Sequence, residues 1–219
     1  MKMRDSYFEA GYYHATLEKP SKKYHMVEEF FKRHGVRKVL DVGCGAGRHT
    51  YLLAKAGFDV YGFDISMKAL QINKKLLKKH KVHAKLRRWD MLKAWPYKTG
   101  FFDAVFASRV MYQFRMKEIK KNVKEVRRVL RRNGYLFWEG PTYKTTSNLF
   151  YGEKFRFIEP GTWISIGGPY DGQFYHRFKD KQEVAKLLKD FKIIRFDFRG
   201  NSFSLIAQKE KTDKHNKHK

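Results

Sequence analysis

The segment at positions 39–64, VLDVGCGAGRHTYLLAKAGFDVYGFD, limits the folds open to this chain more than any other. An apolar run (Val39, Leu40, Val42) leads into Gly43-Cys44-Gly45-Ala46-Gly47. A helix-spaced stretch follows, and a second apolar run stops on Asp64. Strand, glycine turn, helix, strand and acid, in that order, build a nucleotide site in a doubly wound sheet. The glycines let backbone come close to a ligand, and the acid accepts from ribose hydroxyls. A dinucleotide fingerprint would place its third glycine where Arg48 stands, at a helix start that meets a pyrophosphate. Here the third glycine is Gly47, and Asp41 sits just before the turn.

The remaining pattern extends the same alternation. Met26, Val27, Phe30 and Phe31 mark a helix over 21–34 that ends at Gly35. Strands are expected at 37–42, 58–63, 82–88 and 102–108, with a helix over 47–56. Another helix starts from Ser66 as N-cap, with Ala69, Ile72 and Leu76 inward. A helix over 116–132 aligns Ile119, Val123, Val126 and Leu130, and a fifth strand follows at 135–139. Residues 140–178 hold three of the five prolines and clustered aromatics with little periodicity, and read as a long irregular insert. Asp180-x-x-Glu183 has the form of a capping box. The runs 191–199 and 202–208 form a hairpin turning at Gly200-Asn201. The fold class expected is α/β: a Rossmann-like, seven-stranded, mostly parallel sheet with helices on both faces and a C-terminal antiparallel hairpin. Residues 1–209 are read as one domain, with 1–34 an N-terminal arm and helix and 210–219 a disordered basic tail.

Composition bounds the partners. Lys and Arg number 48 against 22 Asp and Glu, a formal charge of +26. Such a field attracts polyanions, so RNA enters as a partner. The single cysteine, Cys44, excludes an intrachain disulfide and a zinc cluster of several cysteines. No run approaches the length of a membrane span, and the first twenty residues have no leader-like apolar core. A soluble, cytoplasmic chain without a metal is expected.

The glycine turn with Asp41 and Asp64 resembles motif I of the class I S-adenosylmethionine-dependent methyltransferases, and the order of elements over residues 20–208 resembles theirs. Glu159-Pro160-Gly161-Thr162 and 172–178, GQFYHRF, are similar to a segment of small members of the tellurite-resistance type. Those carry a histidine pair where this chain has Tyr175 before His176.

The resemblance implies S-adenosylmethionine as cofactor, and it assigns residues. Gly43, Gly45 and Gly47 leave room for its methionine part, Asp41 orients the amino group, and Arg48 braces the turn. Asp64 accepts from the ribose, with Ile65 packing on adenine. Asp90 accepts from the adenine amino group with Met91 beside it, and Ser108 and Arg109 end strand four at the crevice. Tyr12, Tyr112, Phe114, Trp163 and Tyr175 are candidate aromatic walls for the sulfonium. His176 is the first candidate general base and Tyr112 its companion on the acceptor side, with Asp171, His14 and Glu139 behind them. His80 and His83 read as surface groups.

Cys44 lies inside the turn, away from where a pyrimidine-C5 nucleophile would stand. Strand four ends in Ala107-Ser108-Arg109-Val110 rather than the Asn/Asp-Pro-Pro-aromatic motif of many base-amino methyltransferases. The expected reaction is methyl transfer to a small-molecule acceptor. The alternatives are an RNA methyltransferase and a non-catalytic RNA-binding protein on the same scaffold.

Overall fold

The structure, a computed structural model, describes residues 20–144 and 154–210. The arm residues Tyr7, Phe8, Tyr12, Tyr13 and His14, part of the insert and the basic tail lie outside the described residues.

The chain runs α1 (Tyr24–Arg33), β1 (Lys38–Val42), α2 (Arg48–Lys55), β2 (Asp59–Asp64), α3 (Met67–Lys79), β3 (Lys85–Arg88), β4 (Phe102–Ser108), α4 (Met116–Val129) and β5 (Leu130–Pro141). It continues with β6 (Lys154–Glu159), β7 (Thr162–Ile166), β8 (Phe174–His176), α5 (Lys181–Leu187), β9 (Phe191–Arg199) and β10 (Ser202–Lys209). The seven-stranded sheet has the order β3-β2-β1-β4-β5-β10-β9. Pairings among β1 to β5 are parallel, and β10 runs against both its neighbours. This is the expected mixed sheet with its terminal hairpin.

Strict alternation in the central strands covers both faces. Val39, Ala104, Phe106, Tyr135, Phe137 and Ile206 pack under Val27 and Phe31 of α1 and Leu53 of α2. Their neighbours Leu40, Val105, Ala107, Leu136, Trp138 and Leu205 pack under Ile119, Val123 and Val126 of α4 and Val184 of α5. A sheet buried on both faces reads as a continuous apolar run, which is what the sequence of β1 and β4 shows. Ser66 caps α3 by accepting from Ala69 N at 3.1 Å, and Asp180 caps α5 by accepting from Glu183 N at 2.8 Å. Among the described residues no helix is long and apolar enough to cross a membrane.

Three details differ from the sequence reading. Helix α4 ends at Val129 rather than 132, because Leu130 turns fully buried into β5 and pairs with Phe102, with Asn133 at φ 58° behind it. The inward stripe of α3 is Ala69, Leu70, Asn73 and Leu77, so a polar residue occupies its centre while Ile72 and Leu76 are only half-buried. The insert is not irregular where it is described: β6, β7 and β8 form a separate antiparallel sheet.

That small sheet is held down at several points. Glu159 accepts from Met116 N at 2.8 Å and so satisfies a first-turn donor of α4. His176 N donates to Tyr112 O at 2.8 Å. Just past β8, Phe178 is fully buried, edge-on to Trp138 at 5.3 Å and Phe203 at 5.1 Å. Phe178→Ala is expected to cost about 3–5 kcal/mol in urea unfolding; a loss under about 1 kcal/mol would show that the insert is not anchored there.

Candidate active site

The strand order reverses between β1 and β4, and a doubly wound sheet opens its crevice at the carboxyl ends of such a pair. The loop after β1 is the glycine turn, and the loop after β4 is Arg109-Val110-Met111. The two touch: a β-carbon on Gly43 would lie 2.3 Å from Val110 Cγ2. Gly43, Gly45 and Gly47 have φ of 62°, 51° and 96°, a region that side chains disfavour. The three differ in purpose. A β-carbon on Gly47 would strike Asn73 Oδ1 at 2.3 Å, so its bareness makes room for a neighbour. Gly45 alone faces open space, with nothing nearer than the Gly43 carbonyl at 4.0 Å.

Asp64 ties the turn to the next helix. Its Oδ2 accepts from Gly45 N at 3.0 Å and its Oδ1 from Ser66 N at 2.9 Å. The carboxylate is half-exposed at the end of β2. Asp41 is buried at 3% exposure and accepts from Thr50 Oγ1 at 2.7 Å. Burial pushes its carboxyl up to about 7, against the Thr50 hydrogen bond and the Arg48 charge, which favour the ionised form. A buried carboxyl so poised suits a cationic ligand, whose approach would restore its charge.

Asn73 completes this buried chain, donating to Thr50 Oγ1 at 3.2 Å and to Gly45 O at 3.3 Å. Sequence reading missed Asn73. The available signal was a lone polar residue between Leu70 and Leu77 on the apolar stripe of α3. Cys44 is buried, and burial with the nearby Asp41 and Asp64 charges pushes its thiol well up, so it stays protonated.

Beside the ends of β2 and β3, Ile65 is half-buried and its carbonyl accepts from Arg88 Nε at 3.1 Å. Asp90 follows β3 and accepts from Leu92 N at 2.9 Å through Oδ1, beside the buried Met91. Gly43, Gly45, Asp64, Ile65 and Asp90 therefore come together around the ends of β1, β2 and β3.

On the other side of the crevice stands a second buried polar cluster. Glu139, at 7% exposure, accepts from Ser108 Oγ at 2.7 Å and from Ser21 Oγ at 3.1 Å. Ser21 N donates to His49 Nε2 at 3.0 Å. Burial, then the Arg48 and Arg109 charges, hold His49 well below its ordinary range, so the ring is neutral and free to accept. Ser108 thus bonds Glu139, and Arg109 follows it exposed, in a left-handed conformation with φ 56°.

His176 is placed differently from the expectation. It is fully buried; Thr162 Oγ1 lies 2.8 Å from Nδ1, and Nε2 faces Glu183 Oε1 at 3.1 Å. Burial alone would raise the Glu183 carboxyl, yet the His176 and Lys179 hydrogen bonds outweigh it and hold it below the usual range. With both nitrogens engaged and no exposed edge, His176 ties the insert to α5. Tyr112 is half-buried beside Tyr175, with ring centroids 6.1 Å apart, at the seam between the β4 loop and the insert. Tyr12 and His14 lie outside the described residues.

Residues 39–134 match the model of a methyltransferase domain family. The methyltransferase GfsG of Streptomyces halstedii is 32% identical over 117 residues, 51% of this chain and 41% of that one. The chain spans less than half the length of the curated relatives it matches. An S-adenosylmethionine-dependent methyltransferase of Clostridium acetobutylicum shares the fold at a TM-score of 0.71 and 15% identity, over 93% of this chain and 98% of that one. So does the 1,6-didemethyltoxoflavin-N1-methyltransferase of Burkholderia thailandensis, solved with 1,6-didemethyltoxoflavin and S-adenosylhomocysteine, at 0.69 and 14% over 96% and 88%. The sheet order and the glycine turn at its switch point define a Rossmann-like methyltransferase fold. Over residues 39–134 the chain is similar to that methyltransferase domain, and the likeness to the solved structures is one of fold.

The different surroundings of the three glycines can be separated by substitution. Gly45→Ala should cost only about 1 kcal/mol of stability, the penalty of a left-handed non-glycine residue. It should nevertheless lower S-adenosylmethionine affinity by about tenfold or more, since the new methyl enters the crevice. Gly43→Ala must displace Val110 and should lose clearly more stability. Urea unfolding paired with calorimetric titration checks both; equal effects of the two substitutions on stability and on binding would contradict the assignment.

Proposed function

We propose that the residues described here act as one catalytic domain that transfers a methyl group from S-adenosylmethionine to a small organic acceptor. The observation that carries the cofactor half is the open face of Gly45 between the Asp41 and Asp64 carboxylates. Asp64 and Asp90 would hold the adenosine end, with Ile65 and Met91 against the base. Asp41 and the bare backbone of Gly43 and Gly45 would take the amino-acid end, with Arg48 balancing the buried acid. Bound there, the cofactor supplies an electrophilic methyl carbon on a sulfonium.

The protein's own contribution is orientation and exclusion of water, the larger part of what such a displacement needs. The acceptor side is assigned to the ends of β4 and β5 and the adjoining seam of the insert. Tyr112, Phe155, Tyr170 and Tyr175 cluster there, with ring centroids 5.9–6.2 Å from Tyr175. An aromatic wall with a few polar groups suits a small organic ligand, and the Burkholderia relative, solved with a small heterocycle, supports that class. Glu139, oriented by Ser21 and Ser108, replaces His176 as the candidate to receive a proton from a hydroxyl or amine acceptor. A cytoplasmic setting accords with the lone buried cysteine.

Calorimetric titration with S-adenosylmethionine tests the cofactor assignment; absence of binding would overturn it. Asp64→Ala removes a carboxylate that also braces the turn, and should weaken binding about 10- to 100-fold. The pH dependence follows from Asp41. Its folded carboxyl lies near 7 against an ordinary value of 3.8, so protonation is favoured in the fold. Ionising it therefore costs stability progressively between those values, and the cost is complete above about pH 7. A cationic ligand recovers that cost only where Asp41 is charged. Affinity for S-adenosylmethionine should therefore rise from about pH 5.5 to about pH 8, and Asp41→Asn should flatten the rise; equal pH profiles for the two proteins would refute Asp41 as the ligand's partner.

A further inference from the structure

Residues 65–89 contain nine lysines and arginines and no aspartate or glutamate. In the structure they form α3 and β3, the edge strand of the main sheet. All nine cations (Lys68, Lys74, Lys75, Lys78, Lys79, Lys81, Lys85, Arg87 and Arg88) are exposed. Among the described residues only Lys85 has an acidic partner, Asp59 at 2.9 Å. Arg88 donates to the Ile65 carbonyl.

Other basic surfaces carry acids among their cations, although Lys120, Lys121 and Lys124 of α4 are exposed and have no acidic partner among the described residues. On and around α4, Lys117 lies beside Glu118, Arg127 meets Asp190, Arg128 meets Glu125 and Arg131 meets Asp103. On α1, Lys32 and Arg33 pair with Glu28 and Glu29. Residues 65–89 are the longest stretch of the chain without an acid of its own.

Ordinary stability does not call for this pattern. Lys78 and Lys79 suit the last turn of α3 through the helix dipole. Lys85, Arg87 and Arg88 guard an open sheet edge against pairing. Neither reason covers Lys68, Lys74, Lys75 or Lys81. Like charges four apart, Lys74 with Lys78 and Lys75 with Lys79, repel within one helix and weaken it. A bound polyanion would reverse that repulsion.

We propose that the ridge formed by α3 and the β3 edge is a docking surface for a nucleic-acid backbone. The 13 residues of α3 span about 20 Å, the axial rise of about six phosphates of one strand in a duplex. The apolar stripe of α3 (Ala69, Leu70 and Leu77) is spent in the fold, so the helix has no free apolar face to insert into a lipid surface. The ridge begins at Ser66 and Arg88, on the rim of the cofactor side. Backbone docking there does not depend on which acceptor is methylated.

The test is fluorescence anisotropy of the full chain with a labelled 20-nucleotide single-stranded RNA of mixed sequence. Between 50 and 200 mM salt, wild-type affinity should fall about 10²-fold. K74E/K75E/K78E/K79E should lose about tenfold or more at low salt and show a shallower salt slope. The charge-matched K117E/K120E/K121E/K124E on α4 should change binding by less than about threefold. Circular-dichroism melts and S-adenosylmethionine titration check that each variant is folded. The neutral K74Q/K75Q/K78Q/K79Q provides the reading if charge reversal unfolds α3. Equal losses in the α3 and α4 variants, no RNA binding by the wild type, or a preference for phosphatidylserine vesicles over RNA would each overturn the proposal.

Discussion

Two backbone N–H groups, of Gly45 and Ser66, converge on the Asp64 carboxylate, and the cofactor side depends on that convergence. One acid at the end of β2 fixes the apex of the glycine turn and the entry to α3 together. Replacing it would remove one tie from a turn that is also held by Asn73 Nδ2 on Gly45 O, by Cys44 N on Phe63 O and by Val110 packed against Gly43. A single side chain thus makes the loop geometry and is also the residue proposed to meet the ligand, so the two demands meet at position 64.

The crevice is flanked by two polar chains that cost burial energy and are nonetheless engaged. Thr50, Asp41 and Asn73 run beneath the turn, while Ser21, Glu139 and Ser108 join the chain segment before α1 to the ends of β4 and β5. Buried polar groups in an otherwise apolar sheet are tolerated when partnered, and they fix geometry more sharply than apolar packing does. Burial holds Asp41 close to neutrality, while the Thr50 hydrogen bond of the first chain favours its charged form. The second holds Ser108 and Glu139 in place at the ends of β4 and β5. The left-handed Arg109 between them is the kind of local strain that gathers at functional loops.

Much of this was legible because it is local. The apolar runs of β1 and β4, the caps at Ser66 and Asp180, and the turn at Gly200-Asn201 depend on residues close in sequence. So do Gly43, Asp41 and Asp64, whose spacing is imposed by one strand–turn–helix–strand unit. The small sheet of the insert was not legible, because β8 has three residues and β6 leaves Phe157 exposed, so no clean alternation marks either. Nor were the polar chains, which assemble residues as far apart as Ser21 and Glu139. His176 shows the same limit from the other side. Its residue type suggested a base, but Thr162 and Glu183, which occupy its nitrogens, meet it only in the fold.

The crystal structure of the full chain soaked with S-adenosylhomocysteine is the most direct test of the account. The account requires the adenosine at Asp64 and Asp90 and the amino-acid end over Gly43 and Gly45, with its ammonium near Asp41. Density for the ligand elsewhere, or a glycine turn that remains clear of it at saturating concentration, would contradict the account.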